Sequence, residues 1–548
     1  MSAVINWPAD NTPSERWTIY TRGNVGEVYP DVVLPLEWDL GGPPSERGWR
    51  TGAETIGFLT PDDYGPGEFV VIGVFGGYAY FNASLMRLLG VRTPGLAVDV
   101  IDSQFLGDAD VPAYRRSPGD RNLRATAKVI RTAIRTMRAK RVPLVDEMRA
   151  AADRYRAAAP PSDAPDEVLW QYLLDGLADL WEFFIGSHVI NTMQATIAAG
   201  QLTDLCEKRL GDPNLALALT TGIGEVVSAE PAREMWRLAN ETPADAFDDA
   251  FAAFLTQHGH RGPNEFSLVG RDWAAFPDLA LAAIDNMRGL DPDRAPAAQE
   301  RRMAAAREAA MTSARDRLGR RAGRLDAAVA GAILWSRARE ESKNQVIRAS
   351  QTGRHAFLEL LRRATERGGV ADRVGPMLLD RAEFLAYLAD PPSMVETIEE
   401  RRAAHHHLAG LEPPFAFDTA GGGVPPVSTW EARRTEGPAA TTGETLTGAA
   451  GAPGTARGRA RVITDPADPS GLAPGDILVA PLTDPSWTPL FVPAAGVVVE
   501  VGAAMSHSMI VSRELGIPCV VGVVDATLRI PDGAEIELDG GTGMVRIL

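Results

Sequence analysis

One histidine sits where residue types and spacing favour phosphoryl chemistry: Glu500-Val-Gly502-Ala-Ala-Met-Ser506-His507-Ser508, followed by Arg513-Glu514-Leu-Gly516-Ile-Pro518. The small-residue loop delivers His507 onto the first turn of a short helix, and the Gly-x-Pro turn closes that helix. A ring nitrogen held there can carry a phosphoryl group, because the free amide groups and positive dipole end of the helix favour an anion. Phosphorus on imidazole is a labile link. Such a histidine accepts it at one site and donates it at another, which divides covalent catalysis into two in-line transfers. Ser506 can hydrogen-bond the phosphate or cap the helix, Gly502 lets the backbone approach closely, and Arg513 can pair with the phosphate or with a nearby carboxylate.

A second set of candidates lies on the helical stretch Ser336-Arg337-Ala-Arg339-Glu340-Glu341-Ser342-Lys343-Asn344. Arg339 and Lys343 are four residues apart, so they share a helix face and can converge on one phosphate. Arginine supplies bidentate geometry and lysine a point charge, and both would neutralise charge as the phosphoryl group moves. A solvated charged face has the same spacing, and the residues alone leave both readings open. The segment His258-Gly259-His260-Arg261-Gly262-Pro263-Asn-Glu265 reads either as a tight turn with buried polar caps or as a pocket loop offering His260 and Arg261. His188, on an apolar helix, is a core or pocket-lining residue. His405, His406 and His407 run in series, cannot all face one way on a helix and have no carboxylates at ligand spacing, so no metal site is expected. Gly421-Gly-Gly is no phosphate loop, since no Gly-Lys-Ser/Thr follows it.

The elements that position these residues belong to a chain of 548 residues, room for roughly two to four domains. The net charge is −17 and the pI near 5.1, which argues against nucleic acid or an anionic membrane as partner. The cysteines, Cys206 and Cys519, lie far apart, match no metal spacing and fit a reducing cytosol. The first residues lack a basic region followed by an apolar run, and the apolar windows Phe69 to Phe81 and Val492 to Met505 are short and broken by Gly or Glu. A cytoplasmic protein without a membrane span is expected.

Three textures divide the chain. Residues 1 to about 120 are rich in Pro, Gly and aromatics, with short mixed elements between turns. From about 120 to 412 apolar residues recur at helical spacing, as in Leu169-Tyr172-Leu173-Leu177-Leu180 and Met303-Ala306-Ala310-Met311. Residues 416–445, with Phe417-Asp-Thr-Ala-Gly-Gly-Gly-Val-Pro-Pro and Glu436-Gly-Pro-Ala-Ala, read by composition as a flexible linker. Beyond Thr445 come short β runs, at 458–463, 476–480, 496–500, 519–522 and 534–538, and one helix after His507. The expected architecture is multidomain: a largely α-helical domain over 1–415 with a mixed α/β start, the linker, and an α/β domain over 446–548.

The motifs of the last domain resemble, in order, the phosphohistidine swivelling domain of the phosphoenolpyruvate (PEP) synthase, pyruvate phosphate dikinase and rifampin phosphotransferase superfamily. They are Leu446-Thr-Gly448, Gly475-Asp476-Ile-Leu-Val-Ala480, Thr483-Asp484-Pro485-Ser-Trp487-Thr488-Pro489, the histidine segment, and Asp539-Gly540-Gly541-Thr-Gly543. Ala503 departs from the pattern, which has a second glycine there. Upstream, Trp17 to Pro30, Leu34 to Trp38 and Val74 to Asn82 are similar to the acceptor-binding domain of rifampin phosphotransferases, with Tyr78 where arginine is expected. The resemblance implies that His507 carries the phosphoryl group and that Arg339, Glu340 and Lys343, matching an Arg-Glu-x-x-Lys pattern, stand beside it. It also implies an ATP-grasp module before the acceptor domain and, in PEP-forming members, a barrel after the swivelling domain. Neither is recognised in these 548 residues. One subunit of a split phosphotransferase is expected, its histidine loaded from ATP and Mg²⁺ on a separate ATP-grasp subunit and discharged onto the hydroxyl of a small organic acceptor. The phenylphosphate synthase type resembles this division of labour, which favours a phenol-type acceptor. An enzyme that phosphorylates or dehydrates a natural-product hydroxyl stays open, as does a binding or regulatory protein with a vestigial histidine.

Overall fold

The computed structural model describes residues 6–548 except 65–68, 108, 225, 435–436, 467–470 and 502–505. Its N-terminal part is built on a four-stranded antiparallel sheet in the order Ile72–Phe75, Tyr78–Asn82, Ile19–Thr21, Ala416–Asp418. Gly76 and Gly77, at φ +58° and +83°, form the two-residue turn between the first two strands, a backbone shape that glycine adopts without a Cβ penalty. Arg22 is held within the opening segment. Its guanidinium lies 4.9 Å from the Tyr78 ring and donates to the carbonyls of Tyr29 and Pro30, so it serves internal packing. Tyr78 is likewise committed, its hydroxyl donating to Leu408 O at 3.0 Å.

The helical body rests on Pro35–Ile56, Trp181–Leu210 and the 45-residue helix Ala322–Glu366. At about 1.5 Å per residue the last spans most of the molecule. The helix Pro35–Ile56 approaches Trp181–Leu210 closely at Gly52, where an added Cβ would meet Val189 at 2.7 Å. The long helix packs against the same helix along its length, with Leu325 and Val329 beside Leu202 and Cys206 at one end and Ser342 beside His188 nearer the middle. The pair is antiparallel, and this register brings His188 level with Arg339 and Lys343.

The C-terminal domain carries an eight-stranded mixed sheet ordered Thr445–Thr447, Met544–Ile547, Glu535–Asp539, Thr455–Val462, Ile477–Ala480, Gly496–Val499, Cys519–Val521, Ala449–Ala452. Four adjacent strands, from Thr455–Val462 to Cys519–Val521 in that order, run parallel, and three of them are buried throughout: Ile477–Ala480, Gly496–Val499 and Cys519–Val521. The helix His507–Leu515 sits beside this sheet and ends at Gly516, a left-handed C-cap with φ +64°. One apolar core crosses from the helical body to this domain, joining Ala232, Met235, Trp236 and Phe254 to Leu490, Phe491, Val497 and Met509. No helix among the described residues is long and apolar enough to cross a membrane.

The stretch 416–445 departs from a flexible linker. Ala416–Asp418 is the edge strand of the N-terminal sheet, and Phe417 packs on Tyr80 and Tyr20 at ring distances of 4.9 and 5.6 Å. Trp430 lies 6.0 Å from the Tyr78 ring, Ala440 is buried in the C-terminal core, and Gly443 N–H donates to Ile547 O. Glycine and proline here mark turns between anchored points, because the aromatic and small apolar residues among them have cores to enter. Phe417→Ala is expected to destabilise the N-terminal sheet by about 3–5 kcal/mol, seen as a lowered thermal transition. A residue in a free tether would shift it hardly at all.

Candidate active site

His507 is the first residue of its helix, set by Ser506 at φ −68°, ψ 158°. The Ser506 hydroxyl does not cap the helix; it lies 3.1 Å from the Ser508 hydroxyl. The imidazole is held between two threonines of the preceding loop, with Nδ1 3.2 Å from Thr483 Oγ1 and Nε2 3.1 Å from Thr488 Oγ1. Phe491 meets the ring edge-on at 5.9 Å. A hydroxyl donates or accepts as required, so the pair satisfies either neutral tautomer. Burial and then the charges of Lys343, Arg261 and Arg339 hold His507 well below the ordinary imidazole range. The ring is neutral at physiological pH and keeps a lone pair on one nitrogen, the form that attacks phosphorus.

The cations belong to the helical body. Lys343 Nζ lies 3.5 Å from Glu265 Oε1, and Arg261 donates to Glu265 Oε2 at 3.0 Å. Arg339 pairs with the buried Glu340 at 2.9 Å. Glu265 thus ties the loop 258–265 to the long helix, and His260 Nε2 reinforces the tie at 2.7 Å from Asn344 Oδ1. Behind them Arg354 and Asp272, both wholly buried, pair at 3.0 Å, while Arg354 also donates to the carbonyls of Glu265 and Ser267. The turn of this loop is capped by buried polar groups, and the Arg261 charge acts on His507.

His188 faces the same cations. Its Nδ1 lies 2.9 Å from Ser342 Oγ, whose proton is given to Arg339 O at 2.8 Å. His188 therefore donates through Nδ1, and Nε2 carries the lone pair. Burial and then the Arg339 and Lys343 charges push its pKa down to about 3. One turn along, Asn191 is fully buried with neither amide atom bonded to protein among the described residues. From the C-terminal side Asp484 accepts the Ser486 N–H at 2.8 Å. Burial and then Glu265 raise its pKa to about 6.

The structure therefore brings together His507, Arg339, Lys343, Glu340, Arg261, His260 and His188. Gly502 lies outside the described residues. Arg513 is placed elsewhere than on His507: Nε donates to Gly451 O at 2.8 Å and Nη2 lies 3.4 Å from Met509 Sδ. Six residues on from His507 it lies about 120° round the helix axis and does not share the face of the first residue, and it anchors the helix to the strand Ala449–Ala452. Thr483, Thr488, Asp484, Glu265 and Asn191 are additions that only the fold reveals, although Thr483-Asp484 and Glu265 lie inside motifs visible in the sequence.

Two family descriptions match this chain. "PEP-utilising enzyme, mobile domain" covers residues 472–543, and "Rifampicin phosphotransferase fourth domain" covers 240–342. The two matched segments hold His507, Arg261, Arg339 and Glu340, and Lys343 directly follows the second of them. Relatives include a prodigiosin synthesizing transferase of Serratia marcescens, 35% identical over 54% of this chain and 33% of its own length. A rifampicin phosphotransferase of Streptomyces sviceus is 32% identical over 55% of this chain and 34% of its own. An uncharacterized protein of Mycobacterium tuberculosis is 33% identical over 58% and 33%. The matches span about a third of the length of these curated relatives.

Because Lys343 is the charge that acts most strongly on the His507 ring, Lys343→Met is expected to raise the pKa of His507 toward its ordinary value. A ¹⁵N NMR titration of the labelled imidazole reads the shift directly. An unchanged titration would mean that burial alone keeps the ring neutral.

Proposed function

We propose that this chain is the carrier and acceptor part of a phosphotransferase. His507 takes a phosphoryl group derived from ATP on an ATP-grasp subunit and passes it to the hydroxyl of a small organic acceptor held by the helical body. The observation that supports this best is a neutral imidazole, the side chain suited to attack phosphorus, facing three cations from another part of the chain. ATP with Mg²⁺ would supply the activated phosphorus, and the residues here do the rest.

In the docked arrangement the N–P bond at His507 breaks as the bond from acceptor oxygen to phosphorus forms. The electron pair returns to the ring, which is released as neutral imidazole carrying the proton given up by the acceptor hydroxyl. Charge spreads over the transferring oxygens in that transition state, and Arg261, Arg339 and Lys343 are placed to neutralise it. Phosphorus on one ring nitrogen would displace the threonine bonded to it, while the threonine at the other nitrogen keeps the ring oriented. His188 Nε2 offers a lone pair to the acceptor hydroxyl, and the unbonded amide of Asn191 offers a further polar contact. A phenol-type compound is the favoured acceptor, since an apolar helical interior with a few polar groups suits an aromatic alcohol. Relatives named for rifampicin and for prodigiosin synthesis favour a second reading, in which a natural-product hydroxyl is phosphorylated or dehydrated.

Incubation with ³²P-ATP and a co-expressed ATP-grasp protein is expected to label the wild type and not His507→Ala. Arg339→Ala and Lys343→Ala are expected to keep that label while transfer to an acceptor falls by about 10²–10³-fold, followed by loss of label in a panel of phenols and natural-product alcohols. Label on His507→Ala equal to wild type would rule out the carrier role.

A further inference from the structure

Glu514 lies on the same helix as His507 and is only 4% exposed. A buried carboxylate needs polar surroundings, and here they come from the helical body: the backbone amides of Ile223 and Gly224 face it and act to lower its pKa. Those amides belong to the turn 220–224, where Gly222 and Gly224 each adopt φ +61°. Successive amides beside left-handed residues form a concavity that holds an anion. The carbonyls of the same turn are taken by arginines. Arg307 donates to Gly222 O at 2.5 Å, and Arg337 donates to Ile223 O at 2.6 Å and Gly224 O at 3.2 Å. Arg337 is on the long helix, two residues before Arg339. The turn is therefore held by the helix that carries Arg339 and Lys343, and it holds the helix that carries His507. Met303 fills the space beside it, since a Cβ added at Gly222 would meet Met303 Cβ at 2.5 Å and one at Gly516 would meet Met303 Cε at 3.0 Å.

We propose that Glu514 and the turn 220–224 form the docking latch of the histidine-bearing domain, and that this contact aims His507 at Arg261, Arg339 and Lys343. Glu514 acts as a positioning residue. The latch stands on its own contacts, and its effect on transfer rests on the carrier reading above. A pH signature follows from its surroundings. Burial raises the Glu514 pKa to about 7, Glu300 adds to the rise, and Arg307 with the two amides opposes it. Arg233 neutralises part of the Glu300 charge, and Arg337 faces the turn from the other side. Once undocked and hydrated, the carboxyl returns toward its ordinary value near 4.5. The docked state binds the proton more tightly, so this contribution to docking is complete below that ordinary value and is lost as pH rises through about 7. The slope in between is at most about tenfold per pH unit.

Hydrogen exchange in the full-length chain tests this, because it detects opening even when opening is rare. The readout is protection of 230–240, whose Ala232, Met235 and Trp236 lie in the core shared with the mobile domain, corrected for intrinsic exchange between pH 6 and 8. Wild-type protection is expected to fall with pH. Glu514→Gln is expected to lose that slope, and Glu514→Ala to lower protection by about ten- to hundredfold. Continued protection of the strand Gly496–Val499 shows that the domain stays folded. Variants that keep both the protection and the pH slope of the wild type would overturn the latch. ³²P labelling of His507, run in parallel, separates the two ideas: exchange that responds to Glu514 in a protein that never takes label leaves the latch standing and removes the carrier.

Discussion

The His507 ring and the cations facing it come from different parts of the chain, so their encounter exists only while the C-terminal domain is docked on the helical body. For the bare ring that encounter is electrostatically idle: Lys343, Arg261 and Arg339 only make it harder for the imidazole to take a proton. A phosphoryl group on the same nitrogen would reverse the sign. Opposite unit charges about 4 Å apart interact by about 4 kcal/mol at an effective dielectric near 20, and a phosphoryl dianion would meet several such charges. On the carrier reading, the loaded arm is drawn into the acceptor site more strongly than the discharged arm. Directionality would then come from the cargo itself, without a separate regulator.

That argument requires cations that hold still. Arginine and lysine side chains are costly to order, and here each has a counterion that fixes it before any phosphate arrives. Glu265 divides its two oxygens between Arg261 and Lys343, Glu340 holds Arg339, and the buried Arg354–Asp272 pair fixes the loop that presents Glu265. Each carboxylate lowers the net field, yet it keeps the donors at fixed positions. Preorganisation of this kind is worth more to a moving phosphoryl group than extra unpaired charge that must first reorganise.

Legibility in the sequence followed the range of the interactions. His507 at a helix start and the central strands were readable because loop, helix and turn lie within about twenty residues, and the buried parallel strands announce themselves as runs such as Ile477-Leu-Val-Ala480. Arg339 and Lys343 were readable as one face of one helix. Glu265 and Asp484 were not assignable, since their roles arise across an interface between segments far apart in the chain. The stretch 416–445 misled for a related reason: glycine and proline dominate its composition, while its structure is decided by Phe417, Trp430 and Ala440 meeting distant cores. Arg513 misled through geometry, because closeness in sequence to His507 is not closeness on the helix surface.

The docked interface divides its labour between apolar and polar contacts. The shared core of Met235, Trp236, Phe491 and Met509 supplies attraction in proportion to buried area, but apolar contact is non-directional and tolerates small rotations. A rotation that hardly disturbs that core would carry the His507 ring away from Lys343 and Arg261. The polar surroundings of Glu514, the amides of Ile223 and Gly224 and the charge of Arg307, are by contrast directional. Orientation must therefore reside in polar contacts such as the one between Glu514 and the turn 220–224, near the close of the histidine helix. The threonines at the start of that helix belong to the same domain and fix the ring within it, so the latch sets where the domain points and Thr483 and Thr488 set where the ring points, which a phosphoryl transfer along a single line demands.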